Sequence, residues 1–341
     1  MKINAGIIGF GKMGMLHGAL INAHEKCNLI AVADKSSFMV KAYHSVMPDI
    51  QFYTSEDDLL QNSDVNALII STPTFCHVPI ALKAAKKNIH LFIEKPLSTN
   101  LLDAKKLYDT TKDLSAINLV AFCMRYVPTF IKGRQILQEK IIGEIETVKS
   151  FMHICDVLSP QKGWRFQKSI AGGGVLLDFS VHMLDLLTWY FGKVDSVKGK
   201  TAQLYSLDVE DEVNVDINFK NNIKANLYSS WSKPEHRKSY AKMIITGSKG
   251  TMTVTDQTIH IEKNGKMIKE IYYPELYSGY NIDIGGPNYS SQMNDFVDSI
   301  LNQKQPGTNI KTALYVQYLI DCIYRSSSNN QLIKINESEI Y

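Results

Sequence analysis

Ile3-Asn4-Ala5-Gly6-Ile7-Ile8-Gly9-Phe10-Gly11-Lys12-Met13-Gly14 opens the chain. The first half is a short apolar run with β-branched residues, as in a buried strand. The second half matches G-x-G-x-x-G and leads into helical spacing over residues 12–24. Each glycine has a task in such a turn. Gly9 permits the tight reversal, Gly11 lets the backbone approach a pyrophosphate, and Gly14 lets the helix pack close to the strand. The helix start offers N–H groups and a partial positive charge to an anion, so Phe10, Lys12 and Met13 are expected around the phosphates. A second strand at 29–33 ends at Asp34, about twenty residues after the turn, where an acid hydrogen-bonds ribose hydroxyls. A lone glycine turn suits a structural role equally well. Strand, glycines, helix, strand and acid in that order predict a dinucleotide-binding Rossmann unit.

Asp34 favours NAD, because a carboxylate repels a 2′-phosphate. Lys35 and Ser36 follow directly and leave NADP open. Further buried-type runs at 67–70 and 89–93, with a helix at 78–87 between them, extend the alternation. A helix at 100–114, with Asn100 as its N-cap, and a strand at 119–123 complete it. Alternating strands and helices imply a parallel, doubly wound sheet covered on both faces. Ligands then bind outside the carboxyl ends of the strands, so Ser71, Thr72 and Pro73 are expected to line the cofactor. His77 reads either as a further cofactor contact or as a helix-start histidine packed on the loop.

The pattern changes after Phe122, and the domains are expected to be 1–122 and 123–341. The second begins with a helix at 129–139, a strand at 145–154 and a helix at 175–190. Alternating strands follow at 194–205, 212–219, 223–231, 241–246, 251–255 and 258–262, separated by turn signals such as Asn221-Asn222 and Asn264-Gly265. This predicts an α+β domain with a large, mainly antiparallel sheet. Helices at 292–301 and 312–325 close it.

Composition narrows the function classes. The 341 residues, 45% hydrophobic and 21% charged, suit two globular domains. A net charge of +3 is too mild for a nucleic-acid partner. No apolar run approaches the ~20 residues of a membrane helix, and no signal peptide is visible. Five cysteines, an odd number without a CxxC pair, argue against a disulfide framework and a zinc site. A cytoplasmic protein without a metal is expected.

Two further segments carry chemistry. Glu94-Lys95-Pro96 ends the strand at 89–93, where proline biases Lys95 away from helical geometry; the Lys-Pro bond could also be cis. Gly172-Gly173-Gly174 leads into Val175-Leu176-Leu177-Asp178-Phe179-Ser180-Val181-His182-Met183-Leu184-Asp185. On one helix, Asp178 and His182 share a face, and a carboxylate beside an imidazole can hold its tautomer. Taken alone, Lys95 suits a surface strand end, and the Asp–His pair suits a satisfied core pair.

Together these segments resemble the glucose–fructose oxidoreductase, inositol dehydrogenase and rhizopine catabolism (Gfo/Idh/MocA) family. Arg125-Tyr126-Val127-Pro128, Trp164-Arg165, residues 245–250 and residues 292–296 also fit. The match covers nearly the whole chain. The resemblance implies an NAD(P)-dependent oxidoreductase acting on an inositol, a sugar or a sugar nucleotide. It implies that Lys95, Asp178 and His182 form the catalytic set, with Glu94 beside the cofactor and Arg125, Trp164 and Arg165 near the substrate. Lys95 would polarise the reacting oxygen and His182 would serve as base supported by Asp178; which of the two takes the proton stays open. Histidine at 182 resembles the inositol dehydrogenase branch, whereas some sugar oxidoreductases carry tyrosine. Ser180 departs from the family's usual glycine. The resemblance also implies a homodimer or homotetramer through the C-terminal sheet. A non-catalytic dinucleotide-binding regulator and an NAD-dependent glycosidase are the alternatives within the family. Retention of the three catalytic-type residues argues against the first, and the missing secretion signal against the second. His153 could reach the pocket or face the helix layer. The stretch at 277–289 would suit a hydroxyl-rich ligand or a solvated loop.

Overall fold

Strands buried on both faces mark the first part of the chain. All four residues of Ala67–Ile70 are buried, as are the last four of Ile3–Ile8. The computed structural model describes residues 2–273 and 286–340; most of the 277–289 stretch therefore lies outside the described residues. The chain forms two compact units, Met1–Ala121 with Tyr289–Tyr315, and Phe122–Asn288 with Val316–Tyr341.

In the first unit, β1 (Ile3–Ile8), α1 (Lys12–Ala23), β2 (Cys27–Ala33), α2 (Ser37–Val46) and β3 (Gln51–Tyr53) come first. Then follow α3 (Glu56–Asn62), β4 (Ala67–Ile70), α4 (His77–Ala85), β5 (His90–Ile93), α5 (Leu101–Thr111) and β6 (Asn118–Val120). The strands form one parallel sheet in the order β3-β2-β1-β4-β5-β6. Strand order reverses between β1 and β4, the switch point at which such sheets bind dinucleotides. Asn100 caps α5 as expected, accepting from the Asp103 N–H. No element is expected from sequence over 37–62, although Ser55 caps α3 through the Asp57 and Asp58 N–H groups. β3 has three residues and no clear alternation.

The second unit holds α6 (Pro128–Gln138), β7 (Ile145–His153), α7 (Lys168–Ala171), α8 (Val175–Asp178), α9 (Val181–Phe191), β8 (Val194–Ala202), β9 (Glu212–Phe219) and β10 (Lys224–Ser230). β11 (Tyr240–Gly247), β12 (Gly250–Thr255), β13 (Thr258–Lys263) and β14 (Lys266–Tyr272) follow, then α10 (Pro287–Asn302), α11 (Ile310–Asn329) and β15 (Ile333–Lys334). The sheet order is β14-β13-β12-β11-β7-β10-β9-β8-β15, antiparallel except for β7 beside β10. One face is covered by helices: α8 touches β9 and β10, and α9 touches β7.

Two expectations need correction. Residues 289–315 belong with the first unit, not with the second domain. The reason is hydrophobic: Met293, Phe296, Val297 and Ile300 of α10 share a buried cluster with Ile3, Ala5, Phe92 and Leu119. The loop before α11 also covers the β6 edge, where Val120 N–H donates to the Thr308 carbonyl and Ile310 N–H to Asn118 Oδ1. The helix expected at 175–190 is broken after Asp178, with a 46° bend between Lys168–Asp178 and Val181–Phe191. Ser180 explains the break. Its N–H and its hydroxyl both donate to the Val175 carbonyl, at 2.8 and 3.0 Å, which removes the regular ladder at that point. Among the described residues, no single helix is long and apolar enough to cross a membrane.

Candidate active site

The glycine turn of the first unit is shaped by contact between backbones. Gly9 has φ +88°, and a Cβ there would stand 2.8 Å from the backbone of Ser71 and Thr72. A Cβ on Gly14 would stand 2.0 Å from the Gly9 carbonyl oxygen. Gly11 differs. Its φ of −75° suits any residue, and a Cβ there would meet nothing within 4 Å. Nothing in the chain itself requires glycine at 11, so the open space fits a ligand that approaches the backbone. No side chain caps α1, and no acid sits in its first turn, which leaves that helix start suited to an anion. Thr72 Oγ1 is buried without a hydrogen-bond partner, a further vacant polar contact beside the turn. The arrangement fits a dinucleotide.

Asp34 sits at the end of β2 with its carboxylate held by two backbone donors, Phe10 N–H at 2.7 Å and Ser36 N–H at 2.8 Å. This fixes the acid beside the turn, with lone pairs remaining for a hydroxyl. The Phe10 side chain is core, packed edge-on against Tyr43 at 4.8 Å; only its backbone faces the turn. Met13 and Ser71 are half-buried there, and Lys12 and Lys35 are exposed. Pro73 precedes the short turn that begins α4.

Lys95 follows β5, half-buried, ahead of a cis Lys95–Pro96 bond. Its neighbours are tied inward rather than toward a ligand. Glu94 is buried and pairs with His17 at 2.7 Å, while its other oxygen accepts the Lys95 N–H at 3.1 Å. Burial works to raise the Glu94 carboxyl, but His17, Lys95 and His77 together hold it below the usual carboxylate range. His77 is 1% exposed. Its ring nitrogens sit 2.9 Å from the carbonyls of Pro96 and Thr72, which corresponds to the packed-histidine reading and not to a cofactor contact.

In the second unit, Gly173 and Gly174 are also demanded by close approach, and Gly172 by its backbone. Gly172 has φ +83°. A Cβ on Gly173 would stand 1.9 Å from the Tyr324 hydroxyl, and one on Gly174 2.1 Å from the Glu210 carbonyl oxygen. The Glu210 carboxylate accepts from Gly174 N–H and Leu176 N–H at 3.0 Å and from Tyr324 at 2.8 Å. Burial nonetheless pushes this carboxyl upward. Glu210 thus anchors the start of α8, the helix that ends at Asp178. Sequence reading missed both Glu210 and Tyr324; no motif marks them, and only the fold brings them to the glycines.

Asp178 accepts from Arg165 Nε and Nη2, at 3.2 and 2.7 Å, and the same guanidinium reaches Asp156 at 3.1 Å. Arg165 also lies over the Trp231 ring, 5.6 Å from its centre. Trp231 is fixed through its indole N–H to Asp211, whose carboxylate also accepts from Leu204, Tyr205 and Ser206. Trp164 starts the short turn that carries Arg165. His182 lies at the start of α9, 8% exposed, with its ring edge-on to Phe122 at 6.4 Å. The second unit therefore brings Arg165 and Asp178 into contact. Arg125 was expected at the substrate. Its guanidinium makes a two-pronged pair with buried Asp185, at 2.7 and 2.5 Å, beside the Trp189 ring.

His153 belongs to neither place expected of it. Val148, Ser150 and Met152 of β7 point to the helix layer, and His153 alternates to the opposite, open face. There it meets Phe151, Tyr228, His236 and Tyr240. Burial, with His236 and Lys233 adding, pulls its ring down to about 4. Among the described residues, no cluster could hold a metal ion.

Comparison with known proteins follows the same division. The family profile described as an oxidoreductase family with an NAD-binding Rossmann fold matches residues 3–122, and the GFO/IDH/MocA C-terminal domain profile matches 130–253. Oxidoreductase P35 of Formosa agariphila is 26% identical over 279 residues, 80% of this chain and 85% of that protein. Levoglucosan dehydrogenase of Pseudarthrobacter phenanthrenivorans is 26% identical over 289 residues, 74% of this chain and 73% of that protein. The solved structure of a levoglucosan dehydrogenase in complex with NADH shares the fold. Its TM-score is 0.89 at 21% identity, covering 98% of this chain and all of that one.

The glycine run yields a stability test. Gly174→Ala places a methyl group inside backbone contact distance, and the expected loss is about 1–3 kcal/mol, read as a shifted urea midpoint. An unshifted midpoint would show that the contact with Glu210 is not needed.

Proposed function

The chain belongs to the GFO/IDH/MocA family of oxidoreductases, and on that footing we propose that it transfers a hydride between NAD and a polyhydroxylated ring compound. The reacting group is a secondary alcohol or its ketone on an inositol, a sugar or a sugar nucleotide. One observation carries this reading. The open glycine turn after β1 and Lys95 after β5 leave the same carboxyl edge of one parallel sheet.

Gly9 to Gly14, Lys35, Ser71, Thr72 and Pro73 surround the dinucleotide, and Asp34 takes a ribose hydroxyl. NAD supplies the hydride acceptor in oxidation and, once reduced, the donor in reduction. Lys95 holds the reacting oxygen and stabilises the charge that develops on it. His182 receives the hydroxyl proton in oxidation and returns it in reduction, with Asp178 in support. Trp164 and Arg165 lie toward the substrate, and Arg165 holds Asp178 in place. Arg125 acts at one remove, through its pair with Asp185 at the middle of α9.

The protein is further read as cytoplasmic, in keeping with five free thiols, and as a homodimer or homotetramer. The open face of the nine-stranded sheet, with Phe151, His153, Tyr228 and Tyr240, is the interface this reading favours. Sedimentation at micromolar concentration should give a dimer or larger; a monomer would exclude that part.

Levoglucosan and myo-inositol, each with NAD, are the first substrates to assay by absorbance of reduced cofactor. Lys95→Ala and His182→Ala should each lower kcat by about 10²–10⁴-fold while NADH binding changes little. Full activity in both variants would remove the assigned roles. Asp34→Ala should reduce the preference for NAD over NADP, and an unaltered preference would count against its ribose contact.

A further inference from the structure

We propose that His77 is the positioning residue for Lys95, its ring fastening the loop that carries the lysine to the loop that lines the cofactor. This rests on the roles proposed above for Lys95 and Thr72. The two loops leave adjacent parallel strands, β4 and β5. Their ladder ends where the Glu94 N–H donates to the Ile70 carbonyl. Beyond that bond the chains run on as loops, Ser71-Thr72-Pro73 on one side and Lys95-Pro96-Leu97 on the other. The His77 ring takes over the cross-link, with Nδ1 at 2.9 Å from the Pro96 carbonyl and Nε2 at 2.9 Å from the Thr72 carbonyl.

Lys95 is thereby held from both sides. Glu94, before it, is fixed by His17 and accepts the Lys95 N–H. Pro96, after it, is held by His77. The backbone under the lysine has little freedom, so the direction of its side chain is set by these two histidines. A ring that is 1% exposed with a carbonyl at each nitrogen has no edge left for a ligand. Carbonyls only accept, so both bonds together require a proton on each ring nitrogen. Burial, with the Lys95 charge adding, pulls the ring below the usual imidazole range against the two carbonyls and the Glu94 charge, so the neutral ring donates to one carbonyl at a time and the two contacts are separable.

Two conservative variants separate the two bonds. The side-chain amide nitrogen of asparagine falls near Nδ1 and that of glutamine near Nε2. His77→Asn should keep the Pro96 bond and lose the Thr72 bond. Its NADH dissociation constant is expected to rise about five- to tenfold, while kcat at saturating cofactor recovers toward wild type. His77→Gln should do the reverse, binding NADH as wild type does and losing roughly 10–100-fold in kcat, the scale of a misplaced catalytic group. His77→Ala should show both defects. NADH binding is followed by fluorescence titration and turnover by NAD reduction with levoglucosan and myo-inositol. The crossed pattern supports the proposal. Equal losses in the asparagine and glutamine variants, or none in either, overturn it, because a ring that only fills space makes no distinction between them. If the alanine variant does not fold, the other two still decide. Lys95→Ala run alongside keeps the readings apart: an active Lys95→Ala enzyme refutes the lysine's role, whatever the histidine variants do. If neither polyol is oxidised, the substrate reading fails, and the NADH arm alone decides whether His77 holds the cofactor loop.

Discussion

A methyl group on Gly14 would stand 2.0 Å from the Gly9 carbonyl oxygen, and one on Gly174 2.1 Å from that of Glu210. At both places one stretch of backbone rests directly on another. That contact governs what surrounds it. In the first unit it presses α1 against the end of β1, so that the helix start, the open space at Gly11 and the Asp34 carboxylate share one small region. In the second it presses the start of α8 against the Glu210 backbone, which fixes the helix that ends at Asp178. Neither contact is available to a residue with a side chain. The chemistry proposed for the protein depends on both.

Buried carboxylates do the complementary work. Glu94, Asp185, Glu210 and Asp211 are each at least nine-tenths buried, and each is met by specific donors. An acid removed from water without such partners is strongly unfavourable, so each of these groups holds its donors in place. Three of the four hold backbone N–H groups or a catalytic-type segment: Glu94 the lysine loop, Glu210 the start of α8, and Asp211 the loop at 204–206. Asp185 instead holds the Arg125 side chain. The polar core is thus a set of anchors for the segments on which function is proposed to rest.

Much of this was legible in the residues. The parallel unit followed from apolar runs alternating with helices, and Asn100 was visible as a cap. Seven strands of the second sheet followed from alternation, as in Glu212–Phe219, where every second residue is buried. What failed had physical causes. β14 is exposed at six of its seven positions, so no periodicity reveals it. The break after Asp178 arises from a serine hydroxyl returning to the Val175 carbonyl, a local bond that competes with the helix and leaves the hydrophobic pattern unchanged. For Arg125 and Glu94 the resemblance implied places near the substrate and cofactor, but the sequence did not show which side chains hold them. Their actual partners, Asp185 and His17, lie 60 and 77 residues away in sequence. Long-range polar pairing of this kind leaves no spacing to read.

The first unit contains a segment, Tyr289–Tyr315, that is reached only after the chain has run through residues 122–288. Phe296 meets Phe92 edge-on at 5.6 Å, and neighbouring residues of α10 fill the same apolar cluster. The N-terminal stretch cannot complete its own interior when it leaves the ribosome. At roughly 5–20 residues per second, the missing wedge arrives on the order of 10–30 s later. Order of synthesis and order of completion are therefore inverted in this chain. The unit made first is among the last to close, and a fragment cut at its apparent boundary would carry an apolar scar where the returning helix belongs.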